Sequence, residues 1–165
     1  MKNLTTSEIA RQNVLNNKYA LEEIQKAIGL RGIIFEGELK FTKQQLSSFF
    51  EVSDRTINSC LLRNEKELRD NGYEVIVGNR LKNFKLAFTI DDDREVNFLI
   101  KSNKLGIFNF RAFINIAMLL SKSERAREVR SLVLDIVIDT INKRTGGNTK
   151  YINQRDEDFV FNLLN

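Results

Sequence analysis

The chain has 165 residues, 42% of them hydrophobic, with a formal net charge of +4, one cysteine and no histidine. That length suits one ordinary domain or two small ones, and the missing histidine removes His-based acid–base catalysis, Ser-His and Cys-His nucleophiles and most zinc sites. With no Gly-rich phosphate loop of common spacing, a lone Cys60 that cannot close an internal disulfide, no apolar run of membrane-spanning length and no secretory leader, the expectation is a cytoplasmic non-enzyme without catalytic, metal or cofactor site.

The charge is unevenly placed. Residues 1–39 balance, 40–90 carry +3, 91–100 carry −3, 101–150 carry +6 and 151–165 carry −2. Two basic segments around an acidic spacer suit a protein that meets polyanions, although many soluble domains show such imbalance.

At the N-terminus, Thr5-x-x-Glu8 has the form of a capping box and opens a helical stretch expected to run to Gly29, with Val14, Leu21, Ile24 and Ile28 as its buried stripe. The segment 33–41 is apolar and β-favouring and reads as a short strand. Thr42 with Gln45 then caps a helix that buries Leu46, Phe49 and Phe50. Glu51-Val52 reads as a turn, and Ser53 caps a second helix expected to continue to Arg69. On a wheel of 100° per residue, Ile57, Cys60, Leu61 and Leu68 face inward. Arg55, Ser59 and Lys66 face outward, flanked by Asn58, Arg63 and Arg69. Such a face can read base edges through Arg and Asn and hold phosphates through Ser, Thr and Lys; a solvated amphipathic helix has the same pattern. The candidate DNA-binding residues here are Thr42, Lys43, Gln44, Ser53, Arg55, Thr56, Asn58, Ser59, Arg63 and Lys66. Leu62 also points outward, towards a thymine methyl or another element.

Asn71-Gly72 stops the helix. YEVIV, Gly78-Asn79 and the alternating Phe84, Leu86, Phe88 and Ile90 then read as a hairpin, with residues 80–83 as a helical turn in the alternative. The hairpin would place Asn79, Arg80, Lys82 and Lys85 at a DNA-contacting wing. Asp91–Asp93 reads as an exposed acidic boundary rather than a metal site, Val96–Ile100 as a further short strand, and 91–108 as the join between two subdomains.

Phe110–Leu120 is apolar nearly all round and requires burial on more than one side. Ser121-x-Ser123-Glu124 restarts the chain as a helix to about Lys143. Val129, Leu132, Val133, Ile136 and Thr140 form one face of it. Leu134, Ile138 and Ile141 form another, the candidate self-association interface. Arg125, Arg127 and Arg130 suit either DNA or an acidic partner. Gly146-Gly147 ends the helix, 148–155 is a polar loop, and a last helix from Asp156 with Phe159 and Leu163 is too short to stand alone. The natural protein is therefore expected to extend beyond Asn165.

Three blocks carry a resemblance. FTKQQLSSFFEVSDRTINSCLLRNEKELRDNGYEVI resembles the N-terminal DNA-binding region of RhuM-like prophage proteins. GIFNFRAFINIAMLLSKSERAREVRSLVLDIVIDTINKRTGG resembles a helical segment of phage antirepressor and Bro-type regulators. TKYINQRDEDF is similar to regions accompanying Fic/Doc modules. The resemblance implies a mobile-element DNA-binding regulator that can act as a dimer, with Ser53, Arg55, Thr56 and Asn58 as the start of the recognition helix. It carries over no catalysis, since the HPFxxGN loop of Fic enzymes is absent.

The expected fold is mainly α with a small β component: a winged helix-turn-helix over 1–90 and a helical subdomain over 91–165. The expected function is sequence-specific binding of double-stranded DNA in transcriptional control, as a homodimer and without a membrane. The alternative is a protein-interaction module, an antitoxin or antirepressor that neutralises a partner protein.

Overall fold

A computed structural model describes residues 4–88 and 101–144. The acidic run Asp91–Asp93, the strand expected at Val96–Ile100, Ile90 and everything expected after Arg144 lie outside the described residues. The described part is mainly helical, with a small four-stranded antiparallel sheet. Its contacts group as 31–113 and as 1–30 with 114–165, which differs from the expected division into 1–90 and 91–165.

In the unit 31–113, strands β1 (Ile33–Phe35) and β2 (Glu38–Thr42) form a hairpin. Its turn residues Glu36 and Gly37 both have positive φ, 52° and 78°, the backbone that matches the twist of two flanking strands. β2 runs directly into helix α3 (Lys43–Phe50) through the expected capping box, in which Thr42 and Gln45 satisfy each other's backbone amides. Helix α4 (Asp54–Arg63) follows after a three-residue turn. Glu51 there adopts the left-handed conformation with φ 55°, and the Val52 amide donates to the Ser47 carbonyl at 3.0 Å.

The expected single helix to Arg69 is two. Asn64 interrupts it with φ −130°, its side chain turned back to the Cys60 carbonyl at 2.9 Å, and α5 (Glu65–Asp70) starts anew. Asn71-Gly72 ends α5 as expected, and the Gly72 carbonyl accepts from the Asn109 amide. Gly72 has φ 115°, and a Cβ there would lie 2.0 Å from Asn109 Oδ1, so both conformation and space require glycine.

Strand β3 (Tyr73–Val77) is followed by helix α6 (Gly78–Ala87), which corrects the expected hairpin. Phe84, Leu86 and Phe88 do alternate, but Leu81, Phe84 and Phe88 are spaced three and four apart, and these are the buried ones; Leu86 is 74% exposed. The helical period therefore overrides the strand period because it places three large side chains on one face. They pack on Phe35, Ile76, Leu105 and Ile107, with the Phe35 and Phe84 rings edge-on at 5.3 Å. The partner of β3 is instead β4 (Lys104–Asn109), which lies between β2 and β3 in the order β1-β2-β4-β3.

Register decides what each face of the sheet holds, because directly paired residues point the same way. Ile76 pairs with Leu105 on the face that α6 covers. Tyr73 and Phe41 both pair with Phe108 on the other. On that second face Phe113, from helix α7 (Phe110–Leu119), lies 5.1 Å from Phe41, 5.2 Å from Phe49, 5.1 Å from Phe50 and 5.9 Å from Phe110. The aromatic cluster ties α3 to the sheet.

In the other unit, the helix expected from Thr5 to Gly29 is broken into α1 (Glu8–Leu15) and α2 (Lys18–Ile28). Ser7, rather than Thr5, caps α1, and Asn17 caps α2 by accepting from Ala20 at 3.1 Å. Helix α8 (Glu124–Arg144) starts at Ser123, whose hydroxyl accepts from the Ala126 amide, and Ala126, Val129, Val133 and Val137 form its innermost stripe.

Truncating the aromatic hub, Phe113→Ala, is expected to lower the unfolding free energy by about 3–5 kcal/mol, measured by urea denaturation. A loss below about 1 kcal/mol would show that the cluster does not anchor α3.

Candidate nucleic-acid interface

Helix α4 is positioned from both sides. Its inner residues Ile57, Cys60 and Leu61 are buried. Its start is fixed by the Ser53 hydroxyl, which accepts from the Thr56 amide at 3.2 Å and bonds to the Thr56 hydroxyl at 3.0 Å. Asp54 at the first helical position accepts from Ser47 at 2.7 Å, fastening α4 to α3, and its negative charge suits the positive end of the helix.

The outward side presents Arg55, Asn58, Ser59 and Arg63, all exposed. Neither arginine has an ion pair among the described residues. Spacings of three and four place these side chains and Leu62 in one stripe. Leu62 is 76% exposed in the midst of it.

The remaining expected contacts divide. Thr42 is only 2% exposed and its hydroxyl is spent on the α3 cap, so it is not presented at the surface. Lys66 lies on α5, not on α4, and pairs with Asp70 at 3.2 Å. Asn79, Arg80, Lys82 and Lys85 lie on α6, which covers the sheet face opposite to the aromatic cluster, so they form no hairpin tip beside α4. Arg80 is held by Glu36, with Nε at 2.9 Å, and by Glu74 at 2.8 Å. Their hydrogen bonds raise the arginine above its ordinary range, and the Arg80 guanidinium holds the Glu74 carboxyl below the usual carboxylate value. Lys85 donates to the Ser102 carbonyl at 2.9 Å. Asn79 and Lys82 remain exposed.

Lys43 and Gln44, at the first two positions of α3, line a cavity of about 240 Å³ with Tyr73, Val75, Lys104, Leu105 and Gly106. Burial pushes the Lys43 ammonium down, the Lys104 charge adds to this, and Asp54 opposes it. The place of Lys104 is not legible in the sequence, because it takes the pairing of β2 with β4, which sets Thr42 opposite Ile107, to bring the start of β4 near Lys43.

In the helical unit the three arginines of α8 are engaged at home. Arg130 donates to the Ala117 and Leu120 carbonyls, both at 2.8 Å, closing the end of α7, and burial lowers its pKa. Arg125 lies 3.9 Å from Glu128 and Arg127 4.0 Å from Glu124. Leu134, Ile138 and Ile141, the expected interface, are half-buried. A groove of about 630 Å³ runs between α2 and α8, with Tyr19, Ala27, Leu132 and Ile136 as its apolar lining and Glu23, Asp139 and Lys143 at its polar margin.

Among the described residues no group of three or more His, Cys, Asp or Glu side chains is placed to hold a metal ion, and no helix is long and apolar enough to cross a membrane. Comparison with protein-family models, curated proteins and solved structures finds no match for the chain.

Lys104→Ala removes a like charge from beside Lys43 and therefore favours its charged form. The Lys43 ammonium titration, followed by NMR of its side chain, is expected to move upward. An unchanged titration would mean that the two lysines do not share the cavity.

Proposed function

We propose that the unit 31–113 binds double-stranded DNA as a winged helix-turn-helix, with α3 and α4 as the helix pair and α4 in the major groove. The observation that carries this reading is the outward stripe of α4. Arg55, Asn58, Ser59 and Arg63 are exposed, and the two arginines have no carboxylate partner among the described residues. The cations of α5 and the first half of α8 are mostly paired within their own helices. Within α4 neither arginine has an acidic residue at the three- or four-residue spacing at which helical ion pairs form, so the stripe keeps its positive charge.

Arginine and asparagine can each make two hydrogen bonds to a base edge, Arg to guanine and Asn to adenine, while serine and threonine hold phosphates. Leu62, exposed within the stripe, suits a thymine methyl. The β3–β4 ladder stands in place of a wing's hairpin. Sequence-specific binding of this kind, in a prophage or mobile-element regulator acting as a homodimer in the cytoplasm, fits transcriptional control, and nothing in the reading calls for catalysis.

A second reading, a module that neutralises a partner protein, is favoured by the apolar groove between α2 and α8, where Tyr19 is 61% exposed. It concerns the other unit and does not compete for the α4 stripe.

Arg55→Ala and Asn58→Ala are each expected to weaken binding to a selected duplex by about 1–3 kcal/mol, roughly five- to 150-fold in Kd, and to relax preference at the base each one reads, measured by fluorescence anisotropy. Unchanged affinity and unchanged preference in the double variant would overturn the DNA reading. Partner association through the helical unit would survive those substitutions.

A further inference from the structure

The α4 stripe explains base reading but leaves unexplained why two lysines converge on one small cavity. Lys43 starts α3, and Lys104 starts β4, 61 positions later in the sequence. Neither has an ion pair among the described residues, although acidic side chains are abundant and most other cations near the sheet are paired. Asp54 acts on Lys43 in the opposite sense, but it is already bonded to Ser47 and does not offset the burial and the neighbouring charge. The half-buried Lys43 ammonium loses solvation and feels the like charge of the exposed Lys104 on the same cavity, and an anion between them relieves both.

The third wall adds a donor. Tyr73 lies flat along β4, because Gly106 leaves the space: a Cβ at 106 would stand 2.7 Å from the Tyr73 hydroxyl oxygen. Its ring rests on Phe108 at 4.8 Å and under the Arg69 guanidinium at 5.4 Å. Burial raises the phenol above its ordinary value, so it remains an O–H donor at neutral pH. Val75 supplies an apolar wall beside it. Two cations, one hydroxyl donor and one apolar wall around about 240 Å³ match the size and polarity of a phosphate joined to a sugar, and are poorly matched to a carboxylate ligand of larger body or to a cation.

We propose that Lys43, Lys104 and Tyr73 form a phosphate pocket that seats one phosphodiester of the DNA backbone and so fixes the register in which α4 enters the groove. The pocket rests on the DNA reading for the source of its phosphate, but not for its chemistry. It lies on the same sheet face as the aromatic cluster that anchors α3, whereas the basic residues of α6 lie on the opposite one. Lys104 therefore takes the backbone-positioning part that the sequence had assigned to residues 79–85.

The test measures duplex affinity against salt for the whole chain, its Lys43→Ala/Lys104→Ala variant, Tyr73→Phe, and Lys122→Ala as an exposed control. Because both lysines face one phosphate, the double variant is expected to lower the slope of log affinity against log salt by about 0.9, the value of one lost phosphate contact, with base preference retained. Tyr73→Phe is expected to weaken affinity without changing the slope, and Lys122→Ala to do neither. A double variant with the parental slope overturns the pocket, while the DNA reading stands if Arg55→Ala still weakens binding. Should the parent chain bind no duplex at any salt, the DNA reading falls and inorganic phosphate decides the pocket. Saturable NMR shifts at the Lys104 and Gly106 amides, at fixed ionic strength and lost in the double variant, support it; their absence overturns it. Lys43→Met/Lys104→Met serves as a second variant if the alanine pair unfolds.

Discussion

The packing of Phe113 against Phe41, Phe49 and Phe50 is the contact on which the rest of the unit 31–113 depends. Large aromatic pairs contribute both buried area and a preferred geometry, and here one ring touches the strand that leads into α3 and the C-terminal turn of α3 itself. With both ends of α3 so defined, the turn at 51–53 has little freedom, and the Ser47–Asp54 hydrogen bond sets how α4 leaves it. The exposed stripe of α4 is thus a consequence of core packing at a distance, as a recognition surface needs: positioning by a rigid interior, chemistry on the outside.

The disposition of the basic residues follows from the same architecture. Cations near the chain's own turns and helix ends are consumed there. Arg80 joins the β1–β2 turn to β3, Lys85 holds the Ser102 carbonyl, Arg111 donates to Asn71, and Arg130 closes the end of α7. Among the described residues of the unit 31–113, the cations without such partners include Arg55 and Arg63 on α4, Lys43 and Lys104 at the cavity, and Arg31, Lys82 and Lys101. Net charge alone could not separate these groups; paired and unpaired arginines count equally in the +4, but only the unpaired ones add potential that a polyanion can use.

Local signals in the sequence were legible where the physics is local. The Thr42–Gln45 capping box, the Ser53 cap and the Asn71-Gly72 stop each involve groups within four residues, so the pattern contains the whole interaction. Three features were not legible for the opposite reason. The break at Asn64 depends on a side chain turning back to the Cys60 carbonyl, whereas the wheel continues smoothly through it. At 81–88 the apolar residues satisfy a helical and a strand period together, and only the pocket formed by Phe35, Ile76, Leu105 and Ile107 selects the helix. In the same way β4 hid in an expected linker, since its two faces are both covered and Leu105, Ile107 and Phe108 give no clean alternation. With β4 unread, Lys104 could not be placed beside Lys43.

The central claim, that α4 is the surface the protein offers to DNA, is tested most directly by amide hydrogen exchange of the whole chain with and without a saturating duplex. The account requires added protection concentrated in 53–63, with a second site at 43–44 and 104–106. Protection confined to α2 and α8, or no change anywhere in 43–63, would contradict it.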